Sequence, residues 1–230
     1  MSTVLVTGAS RGIGRAIVAR FVEGGCKVIA CARSGPSLQA LAEQFPQVDC
    51  IACDMRDEAA VDALARTVQE RHGSIDLLVN NAGQYRPGKI SEESDEALMD
   101  MLQANLFGAY RLTRRVVPGM IARRSGTIIN MCSVASIAAY PDGGSYSIAK
   151  HALYGFSRNL REEMKPHGVR VVALLPGATL TSSWDGVDLP EDRLMPAQDV
   201  AEIAWSAWTM SMRTVLEDIV MRPQLGDLGD

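Results

Sequence analysis

The sequence lacks the features that would place this chain in a membrane or on a nucleic acid. Its 230 residues contain no apolar run near the roughly 18–20 residues that a membrane span needs. Positive charge is not in excess, since 23 Lys and Arg against 27 Asp and Glu give a net charge of −4, whereas a general nucleic-acid binder is basic. Residues 1–7 also lack the basic start and apolar stretch of a signal peptide, so we expect a cytoplasmic location.

Cysteine is too scarce and too scattered for a disulfide framework or a metal site. There are five cysteines, an odd number. Cys50 and Cys53 form a C-x-x-C pair, but they lie in a run typical of a strand, where residues three apart face opposite sides. No second Cys or His pair follows at zinc-ligand spacing, so we predict no metal site. The three histidines, His72, His151 and His167, are scattered and receive no catalytic role.

Strand-like and helix-like segments alternate along the whole chain. Short, nearly all-apolar runs are typical of strands covered on both faces, and they fall at 4–7, 27–31, 48–53, 75–80, 126–133 and 169–175, with a weaker one near 216–221. Segments of helical period fall at 13–23, 57–72, 94–124, 146–165 and 197–209. The alternation predicts an α/β fold, a Rossmann-like doubly wound parallel sheet of about seven strands with helices on both faces. Its length fits a single domain over residues 1–230.

A glycine-rich turn follows the first strand and reads TGASRGIG over residues 7–14. Ligands of such sheets bind outside the carboxyl ends of the strands, and the following helix N-terminus offers N–H groups to an anion. The spacing is neither G-x-G-x-x-G nor a P-loop. We predict that the turn binds dinucleotide phosphates, the alternative being a plain strand-to-helix turn. The predicted contacts are Gly8, Ser10, Arg11, Gly12, Ile13 and Gly14.

The end of the second strand distinguishes between the two nicotinamide dinucleotides. An acidic residue at this point would bind the ribose 2′-hydroxyl of NAD, whereas a basic residue suits the 2′-phosphate of NADP. The strand ends with Arg33 and no acid, and Arg11 in the glycine turn faces the same place. Two guanidinium groups can pair with a phosphate, so we predict NADP(H) as the cofactor. Two solvated surface arginines are the alternative.

Further motifs follow the later strands in a fixed order: Asn80-Asn81-Ala82-Gly83, Asn105 on the long helix, Ser133, Tyr146 with Lys150, and Pro176-Gly177 with Thr179 and Thr181. With the glycine turn, this series resembles the short-chain dehydrogenase/reductase family over essentially the whole chain. The resemblance implies an NADP(H)-dependent oxidoreductase that reduces a small-molecule carbonyl to an alcohol, or the reverse, by hydride transfer.

The chemistry of three residues agrees with that activity. Tyr146 and Lys150 are four apart on a predicted helix, so both side chains project from one face. A nearby ammonium lowers a tyrosine pKa from its ordinary value of about 10. Tyr146 could then serve as the general acid or base for the carbonyl oxygen. Ser133, at the end of a strand, could hydrogen-bond and orient the same oxygen.

Other roles are implied by the resemblance alone. Lys150 would also bond the nicotinamide ribose, and Asn105 would hold a water in a proton relay, the alternative being a helix asparagine that bonds nearby backbone. Asp54 and Met55 would contact adenine, although Asp54 could instead cap the next helix. The remaining expected cofactor contacts are Asn81, Ala82, Gly83, Tyr146, Pro176, Gly177, Thr179 and Thr181.

The substrate is the least defined part of the prediction. In the family it lies between loops that correspond to residues 84–88, 134–144 and 181–195. The nearest general resemblance is to 3-oxoacyl-carrier-protein reductases, which implies 3-oxoacyl thioesters. The ending Asp218–Pro223 lacks the usual glycine-bounded strand that closes in Val-Asp-Gly-Gly, and this weakens the fatty-acid assignment.

Two further expectations concern partners and the competing class of function. The resemblance implies a homo-oligomer, a tetramer or a dimer, formed through the helices at 94–124 and 146–165. The alternative to an enzyme is a non-catalytic protein that senses a dinucleotide. The complete set of Ser133, Tyr146 and Lys150 favours the enzyme.

Overall fold

The computed structural model describes residues 1–33 and 35–228. Seven strands form one sheet: β1 Thr3–Thr7, β2 Lys27–Ala32, β3 Asp49–Ala52, β4 Leu77–Asn80, β5 Gly126–Met131, β6 Val169–Pro176 and β7 Asp218–Met221. Every strand pair is parallel, and the order is β3-β2-β1-β4-β5-β6-β7. The predicted Rossmann-like fold is therefore confirmed. The strand order reverses at β1, which is the point where such sheets bind ligands.

Within the described ranges, seven α-helices connect the strands: α1 Gly12–Glu23, α2 Pro36–Gln44, α3 Glu58–His72, α4 Ala97–Leu102, α5 Gly108–Arg123, α6 Gly144–Met164 and α7 Ala197–Thr209. Helices α1, α2 and α7 cover one face of the sheet, where Phe21 and Leu41 are fully buried. Helices α3, α5 and α6 cover the other face, where Leu112 and Met120 are fully buried. Both faces are apolar because both are covered.

The C-x-x-C pair behaves as its strand position predicts. Cys50 packs against the core under α1 and α2, whereas Cys53 lies in the core under α3 and α5. The two sulfurs thus lie on opposite faces of the sheet. No group of three or more His, Cys, Asp or Glu side chains among the described residues could hold a metal ion.

The structure corrects the sequence prediction at two helices. Helix α2 was not predicted, because only Leu38 and Leu41 of its nine residues are buried and its apolar period is short. The long helix expected over 94–124 is divided by a π-helical turn at Gln103–Phe107. The physical reason lies in Asn105, whose side-chain Nδ2 donates to the Met101 carbonyl at 3.0 Å and thereby competes with the ordinary helical hydrogen bond.

No helix in the described part of the chain combines the length and the apolar character needed to cross a membrane.

Candidate active site

A cleft of about 750 Å³ lies at the carboxyl ends of the central strands. All of the residues predicted for the catalytic and cofactor sites line this cleft, from Gly8 at the end of β1 to Thr181 after β6. Parallel strands bring their carboxyl ends to one edge, which explains why residues from distant parts of the chain meet there. The cleft thus unites the predicted residues, while the role of each stays a prediction.

Two glycines of the turn, Gly8 and Gly12, leave little room for a side chain. Gly8 has φ +63°, and a Cβ there would lie 2.7 Å from the Ala82 Cα. Gly12 has φ +53°, and its Cβ would lie 3.0 Å from the Thr181 Cγ2. The N-cap residue Arg11 makes no capping hydrogen bond with its side chain, and the first residues of α1, Gly12–Gly14, line the cleft. A phosphate fits such a helix start because the N–H groups and the helix dipole favour an anion.

Asn81 holds the glycine turn in place from the neighbouring strand. Its side-chain Nδ2 donates to the carbonyl oxygens of Thr7 at 3.0 Å and Gly8 at 3.1 Å. The Thr7 hydroxyl in turn accepts hydrogen bonds from the backbone N–H groups of Asn81 and Ala82. These contacts fix the turn at the switch point of the sheet.

Three arginines line the cleft: Arg11, Arg33 and Arg56. Arg11 and Arg33 are exposed. Arg56 forms a salt bridge with Asp54, which explains why the pKa of Asp54 is lowered, and Arg33 adds to this effect. The carboxylate of Asp54 is therefore engaged by a guanidinium. It does not cap α3, because that cap is Asp57, whose Oδ1 accepts from the N–H of Ala59 at 2.8 Å.

The segment after β6 closes the cleft from the other side. The Gly177 N–H donates to the Met221 carbonyl at 2.7 Å, which ties this segment to β7. The Thr179 hydroxyl donates to the Gly177 carbonyl at 3.0 Å. The Thr181 hydroxyl accepts from the Ser183 N–H at 3.3 Å and caps a short 3₁₀ turn at Ser182–Trp184. Pro176, the last residue of β6, also lines the cleft.

Ser133, Tyr146 and Lys150 converge at the centre of the cleft. The Ser133 hydroxyl accepts from the Ala135 N–H at 3.2 Å and lies 3.4 Å from the Pro176 carbonyl oxygen. Tyr146 and Lys150 project from the same face of α6, and the Lys150 Nζ lies 5.8 Å from the Tyr146 ring centroid. The Lys150 ammonium donates to the Met131 carbonyl at 2.8 Å.

The pKa values of Tyr146 and Lys150 are set mainly by burial. Burial raises the pKa of Tyr146 to about 12, and a hydrogen bond with Ser133 opposes that rise. Burial also lowers the pKa of Lys150 to about 8. The sequence analysis predicted that Lys150 lowers the pKa of Tyr146, but the pKa of Tyr146 is raised. The reason is that desolvation of the phenolate is the largest cause of the Tyr146 pKa, while the Lys150 ammonium donates to the Met131 carbonyl and is not among the causes.

Asn105 is held by the backbone on two sides. Its Nδ2 donates to the carbonyl oxygens of Met101 and Gln84, and its Oδ1 accepts from the Gln84 N–H at 3.2 Å. A Cβ on Gly83 would lie 2.7 Å from this Oδ1 and 3.6 Å from the Lys150 Nζ. Asn105 therefore lies near Lys150, as the resemblance implies, and its side chain is hydrogen-bonded to backbone groups.

Several cleft residues were not identified from the sequence. Arg56 could have been found from the sequence, because it stands only two residues after Asp54, with which it pairs. Tyr85 and Trp184 lie in loops that were expected to meet the substrate, but nothing in the sequence singled them out. The Tyr85 ring meets the Tyr146 ring edge-on, with centroids 5.0 Å apart.

Comparison with known proteins identifies the family. The sequence profile described as short chain dehydrogenase matches residues 2–191. A Streptomyces coelicolor protein named "Putative ketoacyl reductase" is 33% identical over 228 residues, which cover 96% of this chain and 82% of that protein. A short-chain dehydrogenase structure from Streptomyces avermitilis is 30% identical with a TM-score of 0.87, covering 96% of this chain and 88% of that one.

A further similar structure is a complex with a derivative of NADP. It is an alcohol dehydrogenase from the archaeon Thermococcus sibiricus complexed with 5-hydroxy-NADP. It is 27% identical, has a TM-score of 0.90, and covers 97% of each chain. The present chain belongs to the short-chain dehydrogenase family. It is accordingly an oxidoreductase that acts on small-molecule substrates.

Proposed function

We propose that this protein is an NADP(H)-dependent carbonyl reductase, or alcohol dehydrogenase in the reverse direction. The observation that carries the proposal is that Ser133, Tyr146 and Lys150 converge on the cleft that also holds the glycine turn. The residues there fit a dinucleotide, because the start of α1 lines the cleft without a cap from the Arg11 side chain and suits a phosphate. Arg11 and Arg33 suit a 2′-phosphate.

The relatives support this assignment of cofactor and reaction. The Thermococcus sibiricus structure is a complex with an NADP derivative, and the Streptomyces coelicolor relative has a name that refers to ketoacyl reduction. NADPH, when bound, supplies a hydride to the carbonyl carbon. A 3-oxoacyl thioester is accordingly one substrate class to test, although the chain departs from those reductases at its final strand.

Tyr146 acts as the general acid in this proposal. Its hydroxyl would give its proton to the carbonyl oxygen as that oxygen gains negative charge on hydride addition, so that the ketone would be reduced by two electrons to an alcohol. With its pKa raised to about 12 by burial, Tyr146 is protonated at neutral pH and so holds the proton that reduction requires. Ser133 donates a hydrogen bond to the same oxygen and orients it.

Lys150 and Asn105 support the general acid. Lys150 carries three N–H donors, of which the Met131 carbonyl takes one and leaves the others for the cofactor ribose and the phenol. Asn105 holds the Gln84 backbone and the π-helical turn beside the lysine. A water relay behind Lys150 remains part of the proposal.

Assembly and location complete the proposal. All five cysteines are free, which supports a reducing, cytoplasmic environment.

Tyr110 on α5 and Ile148 on α6 are 43% and 42% exposed, which supports a homo-oligomer formed through these helices. Light scattering at micromolar concentration should give a dimer or tetramer, and a monomer would contradict this part of the proposal.

The test of the proposed function is NADPH consumption with a panel of ketones, aldehydes and a 3-oxoacyl thioester. The assay is run beside an NADH control and the variant Tyr146→Phe, with NADPH binding measured separately. Turnover that needs NADPH and is lost in the variant is expected. NADPH binding without turnover of any carbonyl would favour the non-catalytic dinucleotide sensor instead.

A further inference from the structure

Three aromatic side chains cluster near Tyr146: Tyr85, Tyr140 and Trp184, here called the aromatic wall. Tyr85 and Trp184 line the cleft. The Tyr85 ring meets the Tyr146 ring at an interplanar angle of 83° and the Trp184 ring at 34°, with centroids 5.0 and 6.2 Å apart. Tyr140 lies close enough to Tyr85 and Tyr146 for both to raise its pKa, although burial is the larger cause. The wall therefore adjoins the residue proposed to protonate the carbonyl.

The three rings come from three separate loops that the fold fixes in place. Tyr85 follows β4, Tyr140 precedes α6, and Trp184 ends the 3₁₀ turn after β6. The first two loops are joined by a hydrogen bond from the Gly88 N–H to the Asp142 carbonyl at 2.9 Å. The third is held by the Thr181 cap. The aromatic wall is therefore assembled from three separate segments, and two of its rings, Tyr85 and Trp184, line the cleft.

Several charged side chains of the segment between β4 and α4 pair with other protein side chains. Arg86 pairs with Asp100, and Lys89 pairs with Glu92. Glu93 accepts hydrogen bonds from Ser145. The cleft residues next to Tyr85 and Trp184 are the neutral Gln84, Ser182 and Ser183. A carboxylate on the part of the substrate beside Tyr85 and Trp184 would therefore meet these neutral side chains.

From this arrangement we propose that the substrate is an uncharged aryl ketone, with its ring against Tyr85 and Trp184 and its carbonyl oxygen toward Tyr146 and Ser133. The inference rests on the proposed carbonyl reduction. Aromatic rings attract one another through edge-to-face and offset contacts, an effect worth about two- to tenfold per contact beyond apolar area. A saturated ring of equal size gains only the free energy of burying its apolar area.

The test compares acetophenone with cyclohexyl methyl ketone in the wild type and in Trp184→Leu. The ratio of their kcat/KM values is measured in each protein, so their different intrinsic reactivity cancels between proteins. We expect this ratio to fall by about tenfold in Trp184→Leu. Val187→Ala serves as the control, because Val187 lies in the same loop and is 51% exposed. Its ratio should match the wild type.

Benzoylformate, an aryl keto acid, tests the requirement for a neutral substrate. Its kcat/KM should be at least about tenfold below that of acetophenone, since a desolvated carboxylate without a cation is costly. An unchanged aryl-to-cyclohexyl ratio in Trp184→Leu, or a preference for benzoylformate, would overturn the aryl ketone proposal. Turnover of aliphatic ketones alone would overturn it too, while the proposed function would stand.

Binding separates failure of this inference from failure of the proposed function. Saturation-transfer NMR measures acetophenone binding to the NADPH-bound wild type and to Trp184→Leu, whether or not turnover occurs. Binding that is lost in Trp184→Leu, together with no turnover of any carbonyl, would support the aryl site and contradict the reductase. Absence of acetophenone binding to the wild type would overturn the aryl site.

Discussion

Glu93 caps the helix that carries Tyr146 by binding Ser145, the residue immediately before this tyrosine. Its carboxylate accepts from the Ser145 N–H at 3.1 and 3.2 Å and from the Ser145 hydroxyl at 2.5 Å. The carboxylate sits in a space kept open by two glycines, since a Cβ on Gly88 or on Gly144 would lie 2.6 Å from its Oε1. This contact fixes the loop after β4 to the start of α6.

Removal of this contact should weaken both stability and catalysis. Glu93→Ala should lower the free energy of unfolding by about 2 kcal/mol, because a charge-assisted cap is lost at a partly buried helix start. It should also lower kcat while NADPH affinity changes little, because the cap lies beside Tyr146 and away from the glycine turn. Glu92→Ala is the control, since Glu92 is exposed and pairs only with Lys89 at the surface. Equal effects of the two substitutions would show that the cap has no special role.

Arg11 and Arg33 should determine the choice between NADPH and NADH. Replacing either with Ala should weaken NADPH binding by about 10- to 100-fold, the loss of a charge-assisted contact to the 2′-phosphate. NADH binding should change little, because NADH lacks that phosphate. Arg15→Ala provides the control, since Arg15 lies nearby on α1 and bonds Gln44. A parallel loss of both dinucleotides would contradict a 2′-phosphate role.

Gly14 and Gly155 offer a matched pair of helical glycines. A Cβ on Gly14 would collide with the Gly8 carbonyl, whereas a Cβ on Gly155 would meet nothing within 4 Å. Gly14→Ala should therefore destabilise the protein by several kcal/mol and abolish NADPH binding, as overpacking does. Gly155→Ala should stabilise it by about 0.5–1 kcal/mol through helix propensity. Thermal unfolding of both variants with and without NADPH measures the difference, and a tolerated Gly14→Ala would show that the turn can relax.

Lys150 should make stability depend on pH in a defined direction. Its pKa in the folded protein is about 8, below the ordinary value of 10.5, so folding disfavours the protonated form. That cost is fully present below about pH 8 and disappears as pH rises toward 10.5. Lys150→Met should therefore be more stable than the wild type by up to about 3 kcal/mol at pH 7. Denaturant unfolding should show the advantage shrinking above pH 8, and a constant difference across this range would contradict the buried-amine account.

The sheet and the site residues could be predicted because both are encoded locally. A strand covered on two faces is an unbroken apolar run, and its last residue leads directly to the ligand edge. Gly8, Ser133 and Gly177 could thus be assigned to one site without knowledge of the loops between them. Asp54, which the resemblance implies as an adenine contact, lines the cleft, and that role stays a prediction. Its partner Arg56 was overlooked despite standing two residues away.

The features that were missed depend on contacts between distant segments. The π-helical turn arises because Asn105 bonds both Met101 and Gln84, and Gln84 belongs to a loop 21 residues earlier. The raised pKa of Tyr146 follows from how deeply α6 is buried, which the four-residue spacing to Lys150 does not encode. The meeting of Tyr85 with Trp184 likewise depends on the paths of two loops. Such features require the folded chain.

The most direct test of the central claim is single-turnover reduction of a ketone by NADPH in the wild type and in Tyr146→Phe. The variant keeps the ring that packs against Tyr85 and removes only the proton donor. We expect the rate of NADPH oxidation to fall by about 10²–10⁴-fold, the usual contribution of a positioned acid, while the NADPH dissociation constant is retained. A variant that reduces the ketone at the wild-type rate would contradict the assignment of Tyr146 as the general acid.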